Sequence, residues 1–222
     1  MSSPQAQSSP APTGRRDMRN DVLLAAAELL ATQGPSGFSV RAVAGAAGCS
    51  TISVYHYFTN KQGLIDAIYL EAFERLAAIQ TPPGTTDPVE VVWSISMGLR
   101  RMAVEQPAYY RVMFSPSVPD VVPSPASRAP ARSNYQRYLS AVRAWAASEP
   151  LRVEPEVAAH ILWSAGHGLL MVELAGLGPR IDGEAAFRTT VRVIMDGLRG
   201  TEVTSSVSRS ATRSTDEESR TG

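Results

Sequence analysis

Residues 38–61, reading FSVRAVAGAAGCSTISVYHYFTNK, set the strongest limit on how this chain can fold. Two short helical patterns flank Ala47-Gly48-Cys49, a link too brief for anything but a sharp corner, and Gly48 can take the left-handed backbone that such a corner demands. Ser39 and Ser50 each stand at the head of one pattern, where an N-cap hydroxyl belongs. Phe38, Val43, Ala44, Ala47, Val54 and Phe58 are spaced so that both short helices can pack against a preceding helix. The alanine-rich first member permits close approach. This is the pattern of a helix-turn-helix.

What the pattern leaves outside is Ser39, Arg41, Thr51, Ser53, Tyr55, His56, Tyr57 and Lys61, with no acidic residue between Ser39 and Lys61. Hydroxyls and Lys61 suit phosphates, while Arg41 and the outer residues of the second short helix suit base edges in a major groove. The expected partner is a double-stranded DNA operator. Lys and Arg total 21 and so do Asp and Glu, so no global field drives the chain onto nucleic acid. Attraction to DNA must come from local charge placement.

Helical signals fill the rest of the chain. Val22, Leu23, Ala26, Leu29 and Leu30 recur at helical spacing until Gly34-Pro35 ends the run. Ser39 caps a helix through Gly45, Ser50 one through Tyr57, and a fourth starts at Gln62 with Leu64, Ile65, Ile68 and Phe73 on one stripe. Thr81-Pro82-Pro83-Gly84 breaks it. Pro88, Pro107 and Pro155 then mark helix starts, because a proline in the first turn lacks only an N–H that would be unpaired there. These helices run to about Glu105, over 107–114 and over 155–175. The segment 115–130 reads as a loop; a helix carrying Tyr135, Tyr138, Leu139, Val142 and Trp145 ends near Ser148, and the last covers 183–199.

The predicted fold is all-α, with about nine helices and no sheet. A disordered tail spans 1–14, a three-helix DNA-binding domain 15–66, a larger helical effector-binding and dimerisation domain 67–200, and a second disordered tail 201–222. Cys49 is the only cysteine, which excludes an intrachain disulfide and fits a reducing cytoplasm. No apolar run is expected to cross a membrane, and the N-terminus has no signal-peptide pattern. No cofactor is expected. His160 and His167 lie two helical turns apart, too far to share an ion, so no metal site is expected. No nucleophile triad, phosphate loop or paired-acid site is recognisable, so nothing points to catalysis.

Gly37-Phe38-Ser39-Val40-Arg41, then Ala44, Gly48, Ser50, Val54-Tyr55-His56-Tyr57-Phe58 and Asn60-Lys61, resemble the tetracycline-repressor-like (TetR) family of transcriptional regulators, with spacing kept over about 45 residues. The resemblance implies base contacts by Arg41 and Thr51 and phosphate contacts by Ser39, Tyr55 and Lys61. It places His56 and Tyr57 near the backbone or base edges, and Ser50, Ile52 and Ser53 on the same reading element. Thr51 and Ile52 depart from the family's habits, Thr51 in place of a longer polar or basic residue and Ile52 in place of a small one or proline. The operator sequence is therefore not transferable from relatives.

Two later stretches, 107–114 and Trp163-Ser164-Ala165-Gly166-His167-Gly168, resemble the Trp-His-Gly type of effector domain found in one branch of that family. This implies a ligand cavity among the middle helices, with Trp93, Met97, Met102, Tyr110, Met113, Phe114, Tyr138 and Trp163 as apolar and aromatic walls and His167 as a polar contact at its edge. The same residues would serve equally as a filled core. The stripes Ala158, Ile161, Leu162, Ala165, Leu169, Val172 and Phe187, Val191, Ile194, Met195, Leu198 suit a homodimer surface, and they also suit intrachain packing. The expectation is a ligand-released homodimeric repressor, cytoplasmic and on the nucleoid when bound to DNA. An activator of the same fold, or a helical ligand-binding or scaffold protein with a vestigial DNA module, are the alternatives.

Overall fold

In a computed structural model, residues 17–80, 84–114, 123–178 and 181–200 are described, and among them the chain forms nine helices and no strand beyond an isolated bridge between Leu151 and Arg199. The expected tails and the first half of the expected loop at 115–130 lie outside the described residues. Helix α1 (Met18–Gly37) starts at Asp17, whose carboxylate accepts the Asn20 N–H, and it bends at Gly34, where φ is 66°. The Gly34-Pro35 break is therefore present, with one further turn beyond it. Helices α2 (Val40–Ala47) and α3 (Thr51–Tyr57) pack on α1, and α4 (Lys61–Ile79) follows.

The remaining helices are α5 (Pro88–Glu105), α6 (Pro107–Phe114), α7 (Ala129–Ser148), α8 (Pro155–Leu174) and α9 (Gly183–Leu198). Helix α7 begins inside the segment read as a loop. Pro130 sits in its first turn, so the proline start signal that marks α5, α6 and α8 operates here as well, hidden among neighbouring prolines. A single apolar core runs from Val22 and Leu23 on α1 to Met195 and Leu198 on α9, with Trp145, Tyr109 and Tyr110 among its largest buried side chains.

Three contacts position the functional parts. Helix α6 packs on α1, where Tyr109 is buried beneath the Arg75 guanidinium at 4.9 Å, and Arg75 also pairs with Glu71 at 2.7 Å. Asp66 on α4 accepts the Ser124 N–H at 2.8 Å, which ties the segment before α7 to the reading half. The end of α4 meets α5 at Gly98 and is held by Gln80. Gln80 is buried, donates to the Ile95 carbonyl at 3.2 Å, and accepts from Asn134 and Arg137, both at 2.9 Å. A buried amide satisfied on every side specifies one arrangement of α4, α5 and α7.

The expectation that no apolar run could cross a membrane needs correction for α8, which is long and apolar enough by length and composition. In the fold α8 packs against α5, α7 and α9 and carries Glu156, His160, His167 and Glu173. Its hydropathy has two physical origins, an inner face in the core and an outer one that keeps Ile161 and Val172 exposed.

A Cβ at Gly98 would lie 2.8 Å from Gln80 Cγ, 3.0 Å from its Cα and 3.2 Å from the Ile79 carbonyl oxygen. Gly98→Ala must therefore push the end of α4 away, and urea unfolding is expected to show a loss of about 1–3 kcal/mol.

Candidate nucleic-acid interface and internal cavity

The reading element is assembled by short-range chemistry. The Ser39 hydroxyl accepts the Ala42 N–H and the Ser50 hydroxyl accepts the Ser53 N–H, both at 3.1 Å, so each serine pays for an otherwise unpaired donor at its helix start. Gly48 adopts φ 67° and ψ 35°, and its N–H returns to the carbonyls of Ala44 and Gly45. Asn60 caps α4 by accepting the Gly63 N–H at 2.8 Å, which puts Lys61 at the first helical position. Phe38, Val43, Ala44, Ala47, Val54 and Phe58 are all buried against α1. Turning those six inward forces the polar positions outward.

Ser39, Arg41, Ser50, Thr51, Tyr55, His56, Tyr57 and Lys61 are exposed, and Ser53 is half-buried beside Ser50, its hydroxyl 2.9 Å from that of Ser50. Ile52 is 79% exposed, a large apolar side chain held in solvent at the first turn of α3. Arg41 and Lys61 have no acidic partner among the described residues, although Lys61 lies over the Phe38 ring at 5.5 Å. The face is thus rigid in backbone, cationic at two corners and free of competing carboxylates.

The internal cavity lies among α5, α6, α7, α8, α9 and the residue that follows α4. Its walls are Gln80, Ile95, Ser96, Leu99, Phe114, Asn134, Tyr135, Tyr138, Leu162, Trp163, Gly166, His167, Phe187 and Val191, around about 430 Å³ of space with the mouth included. The enclosed part has room for roughly one water molecule, so the walls are close to meeting. Of the residues expected to line a cavity, Phe114, Tyr138, Trp163 and His167 do so. Met102 and Met113 are buried in the core away from it, and Tyr110 stands behind His167. Trp93 and Met97 face an outer groove beside α9, where Arg188 and Arg192 lie over the Trp93 ring at 5.3 and 4.6 Å.

His167 sits in the wall and not at the edge. It is buried, its ring lies 4.2 Å from the Phe114 ring and 4.5 Å from that of Trp163, and its Nδ1 is 2.7 Å from the Tyr110 hydroxyl. Burial holds its pKa at about 4 and raises that of Tyr110 well above the ordinary phenol value, so both are neutral at neutral pH. Gln80, Ser96 and Asn134 add polar atoms that the sequence does not single out. Their helical patterns assign them no face, and only the packing of several helices brings them together.

An exposed helix-turn-helix with two cations unpaired among the described residues, continuous in its core with a larger helical body, is the arrangement of a DNA-binding regulator. The description "Bacterial regulatory proteins, tetR family" matches residues 22–68, and "Tetracyclin repressor-like, C-terminal domain" matches residues 92–194. The two matches together take in more than half of the chain, and the protein belongs to the TetR family of DNA-binding transcription regulators. No curated protein sequence matches it. Among solved structures, a TetR family transcription regulator from Marinobacter aquaeolei is similar at TM-score 0.68 and 22% identity, covering 82% of this chain and 95% of that one. The TetR family regulator PfmR from Thermus thermophilus gives 0.64 and 23%, covering 81% and 99%. A ketosteroid transcriptional regulator of Mycobacterium tuberculosis gives 0.60 and 16%, covering 84% and 97%. At these identities the likeness is one of fold.

The neutral, buried His167 predicts a pH effect. Its folded pKa of about 4 lies below the ordinary 6.5, so the unfolded chain takes up the proton first as pH falls. Its contribution to stability is whole above 6.5 and is lost on acidification toward 4, by up to about 3 kcal/mol. Chemical unfolding of wild type and His167→Phe across that range is expected to give a flatter pH dependence for the variant.

Proposed function

We propose that this protein is a ligand-released repressor, which binds a near-palindromic operator as a homodimer with its two reading elements in successive major grooves. The observation that carries the reading is the exposed, acid-free face of α2, α3 and the start of α4. In this reading Arg41, Thr51 and Ile52 meet base edges, with Ile52 offering an apolar contact of the kind that suits a thymine methyl. Ser39, Tyr55 and Lys61 hold phosphates, and His56, Tyr57, Ser50 and Ser53 complete the surface. Residues 15–66 act as the DNA-binding domain and 67–200 as the domain for effector and dimer.

Dimerisation is assigned to the outer faces of α8 and α9. Of the two apolar stripes, Ala158, Leu162, Phe187, Val191, Met195 and Leu198 are buried within the chain, whereas Ile161 and Val172 on α8 are exposed, and so is Val193 on α9, outside the stripes. Gly168 and Gly197 lie exposed on the same two helices and would let a second copy approach closely. A pair of such faces forms a self-complementary four-helix contact.

A small, largely apolar effector enters the cavity, the Trp-His-Gly type of effector domain being the variant that best suits Trp163 and His167. Helix α4 is the connecting lever. Its 19 residues span about 28 Å, with Lys61 at the DNA end and Gln80 in the cavity wall just beyond the other. Because the walls nearly meet, an effector must part them, and parting them moves the helix that carries Lys61. A ~100-fold preference of the effector for the released arrangement corresponds to about 2.7 kcal/mol of coupling.

Fluorescence anisotropy on an operator selected from random DNA tests this reading. Lys61→Ala is expected to weaken binding to all sequences and to lower the salt slope by about 0.9 per lost phosphate contact. Arg41→Ala should cost about 1–3 kcal/mol and relax the preference at one base pair of each half-site. Unchanged affinity for both variants would sink the assignment. Val193→Glu is expected to give monomers in light scattering, and a dimer that persists would move the interface elsewhere.

A further inference from the structure

Among the described residues, the cavity wall contains one buried side-chain polar atom with no partner. His167 is 8% exposed, its Nδ1 is engaged by the Tyr110 hydroxyl, and its Nε2 is buried without a hydrogen bond among the described residues. Tyr110 does not line the cavity, whereas His167 does. The two ring nitrogens diverge, and Nδ1 is held by a residue outside the lining, which leaves Nε2 as the nitrogen available to the cavity.

The pairing with Tyr110 decides which nitrogen carries the proton. The Tyr110 hydroxyl is wholly buried and has no other partner among the described residues. If Nδ1–H donated to it, the hydroxyl hydrogen and the Nε2 lone pair would both be stranded. If the hydroxyl donates to Nδ1, only an Nε2–H remains, and the cavity can satisfy it. The second arrangement leaves fewer buried groups unpaired. Tyr110 therefore sets His167 as a hydrogen-bond donor toward the cavity.

Charge narrows the choice further. No Arg, Lys, Asp or Glu lines the cavity, and burial keeps His167 itself neutral. A charged ligand would lose its hydration with no charged side chain in the lining to pair with, since Arg137 binds the wall residue Gln80 but is not itself a wall residue. Phe114, Tyr135, Tyr138 and Trp163 make the lining rich in aromatic rings, which suits a planar body.

We propose that the effector is an uncharged, largely planar compound with a carbonyl-type acceptor, which takes its one directional hydrogen bond from His167 Nε2–H, with Tyr110 as the positioning residue that fixes the tautomer. This rests on the effector-cavity reading above and deepens it from an apolar ligand to a neutral acceptor-bearing one. A single water on Nε2 in the closed cavity is compatible with it, because the acceptor of the effector takes that place.

Two measurements test the proposal on the full-length protein. The imidazole nitrogen spectrum of ¹⁵N-histidine-labelled protein at neutral pH is expected to show His167 protonated on Nε2, and Tyr110→Phe is expected to lose that fixed tautomer. An Nδ1–H tautomer in the wild type overturns the proposal. Calorimetric titration then uses three isosteric probes: 2-acetylnaphthalene, 2-isopropenylnaphthalene and 2-naphthoate. The ketone is expected to bind tighter than the hydrocarbon by roughly five- to tenfold, the size of one net hydrogen bond, and the carboxylate weakest. In His167→Phe the hydrocarbon should still bind and the preference for the ketone should vanish. Equal binding of ketone and hydrocarbon by the wild type, or tightest binding of the carboxylate, overturns the donor assignment and leaves the cavity standing. No binding of any probe, with the Nε2–H tautomer present, overturns the cavity reading and the proposal with it.

Discussion

At Gly98 helix α5 has no side chain, and the end of α4 fills the space. That close approach puts Gln80 where its amide can reach α5 and α7 at once, and no residue with a Cβ at 98 would leave the room. The rest of the body depends on this junction. It sets the angle at which α4 leaves the cavity, and α4 carries Lys61 at its far end. It also makes Gln80 a wall residue, so the cavity and the end of α4 share one side chain.

The buried polar groups of the larger half follow a common logic. Gln80, Ser96, Tyr110 and His167 sit in apolar surroundings where each unpaired donor or acceptor is costly, and nearly all of their groups find partners within the chain. The His167 Nε2 stands apart: it has no partner among the described residues, and its residue lines the cavity. Surface ion pairs matter less: the Arg100–Glu173 and Arg143–Glu156 pairs join neighbouring helices, but exposed pairs contribute at most about 1 kcal/mol each. The fold rests on apolar burial, with polar groups choosing one arrangement among several that would bury the same surface.

The reading half was largely legible in the sequence. Ser39, Ser50 and Gly48 act on backbone groups within about three residues of themselves, and the six apolar positions from Phe38 to Phe58 need only the preceding helix. The start of α7 was hidden because Pro130 lies among other prolines, so one more start signal looked like part of a loop. The cavity was legible only in part. Phe114, Tyr138, Trp163 and His167 stand out by residue type, yet Trp93 and Met97, equally apt by type, fall on the other side of α5. Helical periodicity marks a face as apolar without saying which neighbour will cover it, and for that reason the stripe on α8 divided between core and exposed surface while that on α9 stayed inside.

The sequence by itself determined the all-helical class, the order of the helices and the chemistry of the reading element, because caps, turn glycines and helical periodicity act over one or two turns. Only the tertiary structure decided which side chains meet around the cavity, which side of α8 remains uncovered, and that His167 lines the cavity while Tyr110 holds its Nδ1. Those outcomes depend on residues from α4 to α9, such as Tyr110 and His167, that stand far apart in the chain. Their relation is set by how helices pack, and no local spacing encodes it.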